Sequence, residues 1–258
     1  MMTVKPKKYF GQHFLKDPAT AQKIVDAIPS EARQVLEIGP GKGILTEPLI
    51  AQFGQHLKVV EIDYQSIDHL LLELPQLRES NIIQGDFLKH SADAYFKGDY
   101  HLVGNFPYNI SSQILFWMLE YRHRIPSMTG MFQKEVAMRI ASEPGSRVYG
   151  ILSVLTQAFY KAEIIFTLSR DEFYPPPKVQ SAVIRLIRRD DYHLDCDEQL
   201  FFKVVKTAFQ QRRKTLRNSL KGLLQGRQLP ERLISERPEQ LGVADFVQIT
   251  HIVRQLPE

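Results

Sequence analysis

The chain contains a single cysteine, Cys196, so it can form no internal disulfide framework, and a reducing compartment is the natural reading. No apolar run approaches the ~18 residues of a membrane span. The basic start, Met1 to Lys8, leads into Tyr9-Phe10-Gly11-Gln12 and not into an apolar signal core, so a cytoplasmic protein with no membrane partner is expected. Eight histidines are scattered without the His-Glu-x-x-His or paired-cysteine spacing of a metal site, and no metal is expected. Gly-x-Ser-x-Gly is missing, which removes a serine hydrolase. A P-loop is excluded too, because no glycine precedes a Lys-Ser or Lys-Thr pair. There is no internal repeat and no low-complexity tract.

What is present is ordinary in bulk and uneven in distribution. A hydrophobic content of 43% over 258 residues suits one sizeable α/β domain with a small appendage. The net charge of +4 and pI near 9.0 point to a polyanionic partner. Basic residues gather at two places. Lys5, Lys7, Lys8 and Lys16 stand near the start, and Arg212, Arg213, Lys214, Arg217, Lys221 and Arg227 near the end.

The first two thirds of the chain alternate between strand and helix patterns. Asp17-Pro18 opens a helix that runs to Ile28, and Val35 to Ile38 is a short buried strand that meets Gly39-Pro40-Gly41-Lys42-Gly43. Strand, glycine loop and helix together form the nucleotide-binding opening of a doubly wound fold, although G-x-G-x-G is not the dinucleotide spacing. A second strand, Leu57 to Ile62, places Glu61 roughly 20 residues past the loop, where a carboxylate accepts ribose hydroxyls. Asp63 is a weaker candidate for that role. A third strand, Asn81 to Ile83, ends near Asp86, which could accept from an adenine amino group. Met128 to Phe132, Ile164 to Leu168 and Val179 to Ile187 supply further strands. After Asp190 only helical patterns remain, so the expected domains are 1–189 and 190–258. In the second, Leu216, Leu220 and Leu224 share one helical face while Arg213, Arg217 and Lys221 share another, free to meet phosphate.

The fourth strand ends in Gly104-Asn105-Phe106-Pro107-Tyr108-Asn109-Ile110, a strand-to-helix turn where open α/β sheets hold ligands. Pro107 fixes its own φ and biases Phe106 towards extended backbone. An amide, rigid carbonyls and an aromatic ring are thus presented together, a set that suits a planar base bearing an amino group. Asn105 and the carbonyl of Phe106 or Pro107 can accept its two N–H bonds while Tyr108 stacks on the ring. Phe173 precedes the stiff Pro175-Pro176-Pro177 run and is expected to close an aromatic sandwich opposite Tyr108.

Taken in order, KKYFGQHFL, EIGPGKGILTEPL, VVEID, QGDF, GNFPYNIS, YGILSV, FYPPPKVQSAVIRL and QRRKTLRNSL resemble the ribosomal RNA adenine dimethyltransferase family, and specifically its small-subunit branch, over nearly the whole length. The resemblance implies a Rossmann-like α/β domain that uses S-adenosylmethionine, followed by a small all-helical domain. It implies a cofactor site of His13, Leu15, Gly39, Gly41, Glu61, Asp86 and Asn105, and a catalytic set of Asn105, Phe106, Pro107, Tyr108 and Phe173. RNA is expected at Arg212, Arg213, Lys214, Arg217 and Lys221. The implied partner is small-subunit rRNA in a pre-30S particle, and the implied state is a monomer. His13 and Phe106 stand where family members commonly have Asn and Leu. A backbone contact survives either change.

Overall fold

The computed structural model describes residues 4–254. Two compact units form, one from Met1–Ala137 with Glu163–Arg188 and the other from Met138–Ala162 with Arg189–Glu258.

The strands are β1 (Phe14–Leu15), β2 (Val35–Ile38), β3 (Leu57–Glu61), β4 (Ile82–Gln84), β5 (His101–Asn105), β6 (Ser127–Gln133), β7 (Tyr160–Leu168), β8 (Phe173–Tyr174) and β9 (Ser181–Arg188). Seven of them make one sheet in the order β4-β3-β2-β5-β6-β9-β7. Pairing is parallel from β4 through β6, and β9 runs antiparallel to β6. Every residue of β2 is buried, as expected of a parallel strand covered on both faces. The chain builds outward from β2 to β3 and β4, then returns to lay β5 on the other side of β2. That reversal is the topological switch point, and it lies beside the glycine loop and the Asn105 turn.

The helices of the first unit are α1 (Pro18–Asp26), α2 (Thr46–Phe53), α3 (Tyr64–Glu73) and α4 (Ser111–Glu120), and the boundary between the units falls within α5 (Lys134–Ala141). Helix α1 starts where the sequence places it. The Asp17 carboxylate accepts from the amides of Ala19 and Thr20 at 3.2 and 2.9 Å, and Pro18 takes the first helical position. Ile24, Val25, Val35, Leu49, Leu57, Val103 and Val183 are part of one continuous core. Trp117 joins the interior, its indole N–H donating to His90 O at 3.0 Å.

The second unit holds α6 (Ile151–Gln157), α7 (Glu198–Gln210), α8 (Leu216–Ser219), α9 (Lys221–Leu224), α10 (Glu231–Ile234) and α11 (Val243–Arg254). Phe201, Val204, Val205 and Ala208 form the buried stripe of α7, which packs on α6, α8 and α11. Leu216, Leu220 and Leu224 are buried as their spacing predicts. The basic stretch is not one helix. It turns after Gln210 and restarts at Leu216, whose amide donates to Glu236 O at 2.9 Å, a partner that local periodicity cannot reveal.

Candidate active site

A cavity of about 270 Å³ opens at the carboxyl ends of β2, β3 and β5, walled by the glycine loop, the segments after β3 and β4, the Asn105 turn and the N-terminal segment Tyr9–Leu15. Gly41 has φ +58°, a left-handed conformation, and a Cβ there would come within 2.8 Å of the Phe14 ring. Only glycine lets the loop run this close to β1.

Glu61 is almost wholly buried. Burial pushes its carboxyl above the ordinary range, opposed by the backbone amides that bind it. Its Oε1 accepts from the amides of Ile62 and Asp63, both at 2.9 Å, and its Oε2 from Gly41 N at 3.3 Å. The acid at the end of β3 is therefore tied to the glycine loop. Asp63, the weaker candidate, is fully buried and pairs with Lys7 at 2.7 Å, so it does not wall the cavity. Asp86 does, and its Oδ1 accepts from Leu88 N at 3.1 Å.

Asn105 Nδ2 donates to His13 O at 2.7 Å. A carbonyl can only accept, so the amide orientation is fixed and Oδ1 is left as the outward acceptor. Pro107 O accepts from Ile110 N at 3.1 Å, whereas Phe106 O takes no hydrogen bond among the described residues. Of the two carbonyls the sequence leaves open, Phe106's is the available one. The Phe106 ring itself is buried against Gly104 and Gly130, edge-on to Phe132 at 5.3 Å. The larger ring at this position thus acts as a core anchor. His13 Nδ1 lies 2.7 Å from Pro175 O and must carry the proton, and its ring stacks on Tyr108 at 5.5 Å. The Tyr108 hydroxyl hydrogen-bonds Ser181 Oγ, and burial raises its phenol above the usual value.

The structure therefore brings His13, Leu15, Gly39, Gly41, Glu61, Asp86, Asn105, Phe106, Pro107 and Tyr108 to one cavity. It does not bring Phe173 there. Strand β8 pairs antiparallel with β1, Leu15 opposite Phe173 and Phe14 opposite Tyr174. Side chains alternate along a strand, so Phe173 joins Leu15 in the core while Tyr174 is exposed. In this structure the ring stacked on Tyr108 is His13.

In the second unit Arg213, Lys214, Arg217 and Lys221 are exposed. Arg212 is occupied, donating to Arg147 O at 2.7 Å and pairing with Glu239 at 3.7 Å. Sequence reading missed Glu37, a cavity residue whose carboxyl is raised to about 8 by burial, against the hydrogen bond from Thr46 Oγ1 at 2.7 Å. The signal was there: an acid inside an otherwise apolar strand, two residues before the glycine loop.

A sulfonium nucleoside fits this lining. Asp86 offers an acceptor on the wall, the glycine loop admits close backbone approach, and Glu61 Oε2, bound by a single amide, keeps a lone pair for a ribose hydroxyl. Such a cavity at the switch point of this sheet defines a Rossmann-like S-adenosylmethionine-dependent methyltransferase. Residues 3–254 match the family described as "Ribosomal RNA adenine dimethylase", and the chain belongs to that family. Proteins named "Ribosomal RNA small subunit methyltransferase A" are similar to it. The one from Bacteroides thetaiotaomicron is 54% identical, covering 99% of this chain and 96% of the relative. The one from Flavobacterium johnsoniae is 52% identical, covering 97% and 96%. Among solved structures, a dimethyladenosine transferase from Plasmodium falciparum aligns with TM-score 0.78 at 26% identity, covering 92% of this chain and 96% of that one. The 23S rRNA methyltransferase ErmE aligns with TM-score 0.69 at 27% identity, covering 92% and 99%. The protein is an rRNA adenine dimethyltransferase whose cofactor is S-adenosylmethionine.

Proposed function

We propose that this enzyme places two methyl groups on N6 of each of two adjacent adenosines near the 3′ end of small-subunit (16S) rRNA, acting as a cytoplasmic monomer on a pre-30S particle. The small-subunit names of relatives above half identity support the substrate. No helix of the described residues is long and apolar enough to cross a membrane, consistent with a partner in solution.

The observation that carries the chemistry is the hydrogen bond from Asn105 Nδ2 to His13 O. It leaves two acceptors, Asn105 Oδ1 and Phe106 O, on residues that wall the cavity. An adenine N6 lone pair is delocalised into the ring and is a poor nucleophile. Two acceptors holding its N–H groups favour a pyramidal nitrogen with the lone pair directed outward. When bound, S-adenosylmethionine supplies a methyl on a sulfonium already activated for transfer. No strong general base is needed, and positioning provides most of the catalysis. His13 covers one face of the Tyr108 ring, so the target base takes the other. Glu61 holds the ribose hydroxyls, Asp86 accepts from the cofactor's adenine, and His13 and Leu15 close the site. Pro107 keeps the turn rigid. Arg213, Lys214, Arg217 and Lys221 bind RNA phosphates, with Arg212 bracing the turn that carries them.

The test incubates the purified protein and labelled cofactor with unmethylated small subunits and, separately, with large-subunit RNA, then maps the modified nucleosides. Dimethyladenosine at two adjacent small-subunit positions is expected. Modification of one large-subunit adenine instead would favour the activity named for the ErmE structure.

A further inference from the structure

The wall segment Tyr9–His13 is a strap anchored at both ends, and the two anchors differ. At His13 it is held by the β1–β8 strand pair, by Asn105 Nδ2 and by Pro175 O. Towards the other end the Lys7 side chain holds it, its Nζ donating to Asp63 Oδ1 at 2.7 Å. Between the anchors Lys7 N donates to Gln12 Oε1 at 2.9 Å and Phe10 N to Lys7 O at 3.1 Å, so the strap is folded on itself.

Asp63 makes this contact more than a surface ion pair. It is fully buried, and its Oδ2 has no partner among the described residues. A buried carboxylate without a cation is costly, and Lys7 is the cation provided. Asp63 also joins the strap to the cofactor site. Its amide donates to Glu61 Oε1 at 2.9 Å, and its Oδ1 accepts from Gln65 N at 3.1 Å to cap α3. The Lys7 ammonium lies 5.4 Å from the Tyr64 ring centroid on that same helix. The pairing with Asp63 raises the Lys7 pKa, so the ammonium stays charged wherever the enzyme works.

We propose that Lys7 is a positioning residue: its ion pair with Asp63 latches the strap across the cavity and sets how long the cofactor stays bound. The proposal rests on the cavity being the cofactor site. Lys7 walls no part of that cavity and touches no acceptor of the target base, so its influence falls on cofactor retention and not on methyl transfer.

The test compares the full-length wild type with Lys7→Ala and Lys7→Arg, using S-adenosylhomocysteine as the probe. Affinity comes from calorimetry, dissociation from stopped-flow displacement, and strap opening from hydrogen exchange over residues 7–13. In Lys7→Ala the loss of a charge-assisted hydrogen bond is expected to weaken binding about tenfold, mostly through faster dissociation. The strap amides should exchange faster, and KM for the cofactor should rise while kcat holds. Lys7→Arg, which can still reach a carboxylate, is expected to restore all of these. Equal dissociation from wild type and Lys7→Ala would overturn the latch, as would an arginine variant no better than alanine. A wild type that does not bind the probe would overturn the assignment of the cavity itself.

Discussion

At the scale of single residues, the site depends on atoms whose hydrogen-bonding capacity is already half spent. Asn105 uses its N–H on His13 O and keeps its oxygen, so Asn105→Ala should lower methyl transfer more than a hundredfold, about 3 kcal/mol of lost positioning, while far-UV circular dichroism stays unchanged. Near-normal turnover would remove Asn105 from the mechanism. Glu37 makes a different prediction. In the folded protein its carboxyl holds its proton up to about pH 8, against an ordinary value of 4.5. Between those values folding takes up a proton, so stability falls as pH rises through the window, with a limiting slope of about 1.4 kcal/mol per unit. Glu37→Gln abolishes that titration and still offers Thr46 Oγ1 an acceptor. It should be more stable than wild type at pH 8 and close to it at pH 5, as read from urea unfolding at both. Identical pH slopes would mean that Glu37 ionises freely where it stands. Asn105 and Tyr108 were legible in the sequence because one rigid turn presents them. The burial of Phe173 was not legible, because two-residue strands leave no visible alternation and a one-residue difference in facing separates core from surface.

At the scale of elements, strand, glycine loop and helix could be read in order because the hydrophobic period changes where the glycines fall. The ties between elements could not be read, since they join residues far apart in sequence, such as Glu61 to Gly41 and His13 to Asn105. The basic segment shows the same limit. Its buried leucines were legible, but its break into a turn and two short helices, the first of which starts with a backbone bond to Glu236, was not. Arg213 and Lys214 therefore sit in the turn, Arg217 on α8 and Lys221 at the start of α9. All four are exposed. Neutralising Arg217 and Lys221 together should weaken RNA binding and reduce the slope of log K against log salt by about 1 to 2, with cofactor affinity unaltered. Arg212→Ala should act otherwise: it removes a bond to Arg147 O and the pairing with Glu239, so its cost should appear first in unfolding. Filter binding across a salt series separates the two, and an unchanged slope in the double variant would take phosphate contact away from these helices.

At the scale of the whole molecule, each compact unit has a core of its own, and the cavity lies wholly within the first. Local patterns gave the order of these parts. They could not show that 138–162 joins the second unit, because α6 finds its partners on α7 and α11, more than forty residues on. Confining the cavity to one unit fixes where ligand energy enters. A ligand that binds only the folded state stabilises it by RT ln(1 + [L]/Kd), about 2.7 kcal/mol at a hundred times Kd. For a unit of this size that corresponds to roughly 5–10 °C in Tm. Saturating S-adenosylhomocysteine should therefore raise the unfolding temperature of the first unit by about that amount. It should also slow amide exchange in the glycine loop, the segment after β3 and the Asn105 turn, leaving exchange in α7 and α11 unaltered. Calorimetry with hydrogen exchange reads both. Equal protection in α7 and α11 would show that the ligand's stabilisation spreads to both units, and then RNA and cofactor affinities should depend on each other by a common factor, since binding linkage is reciprocal.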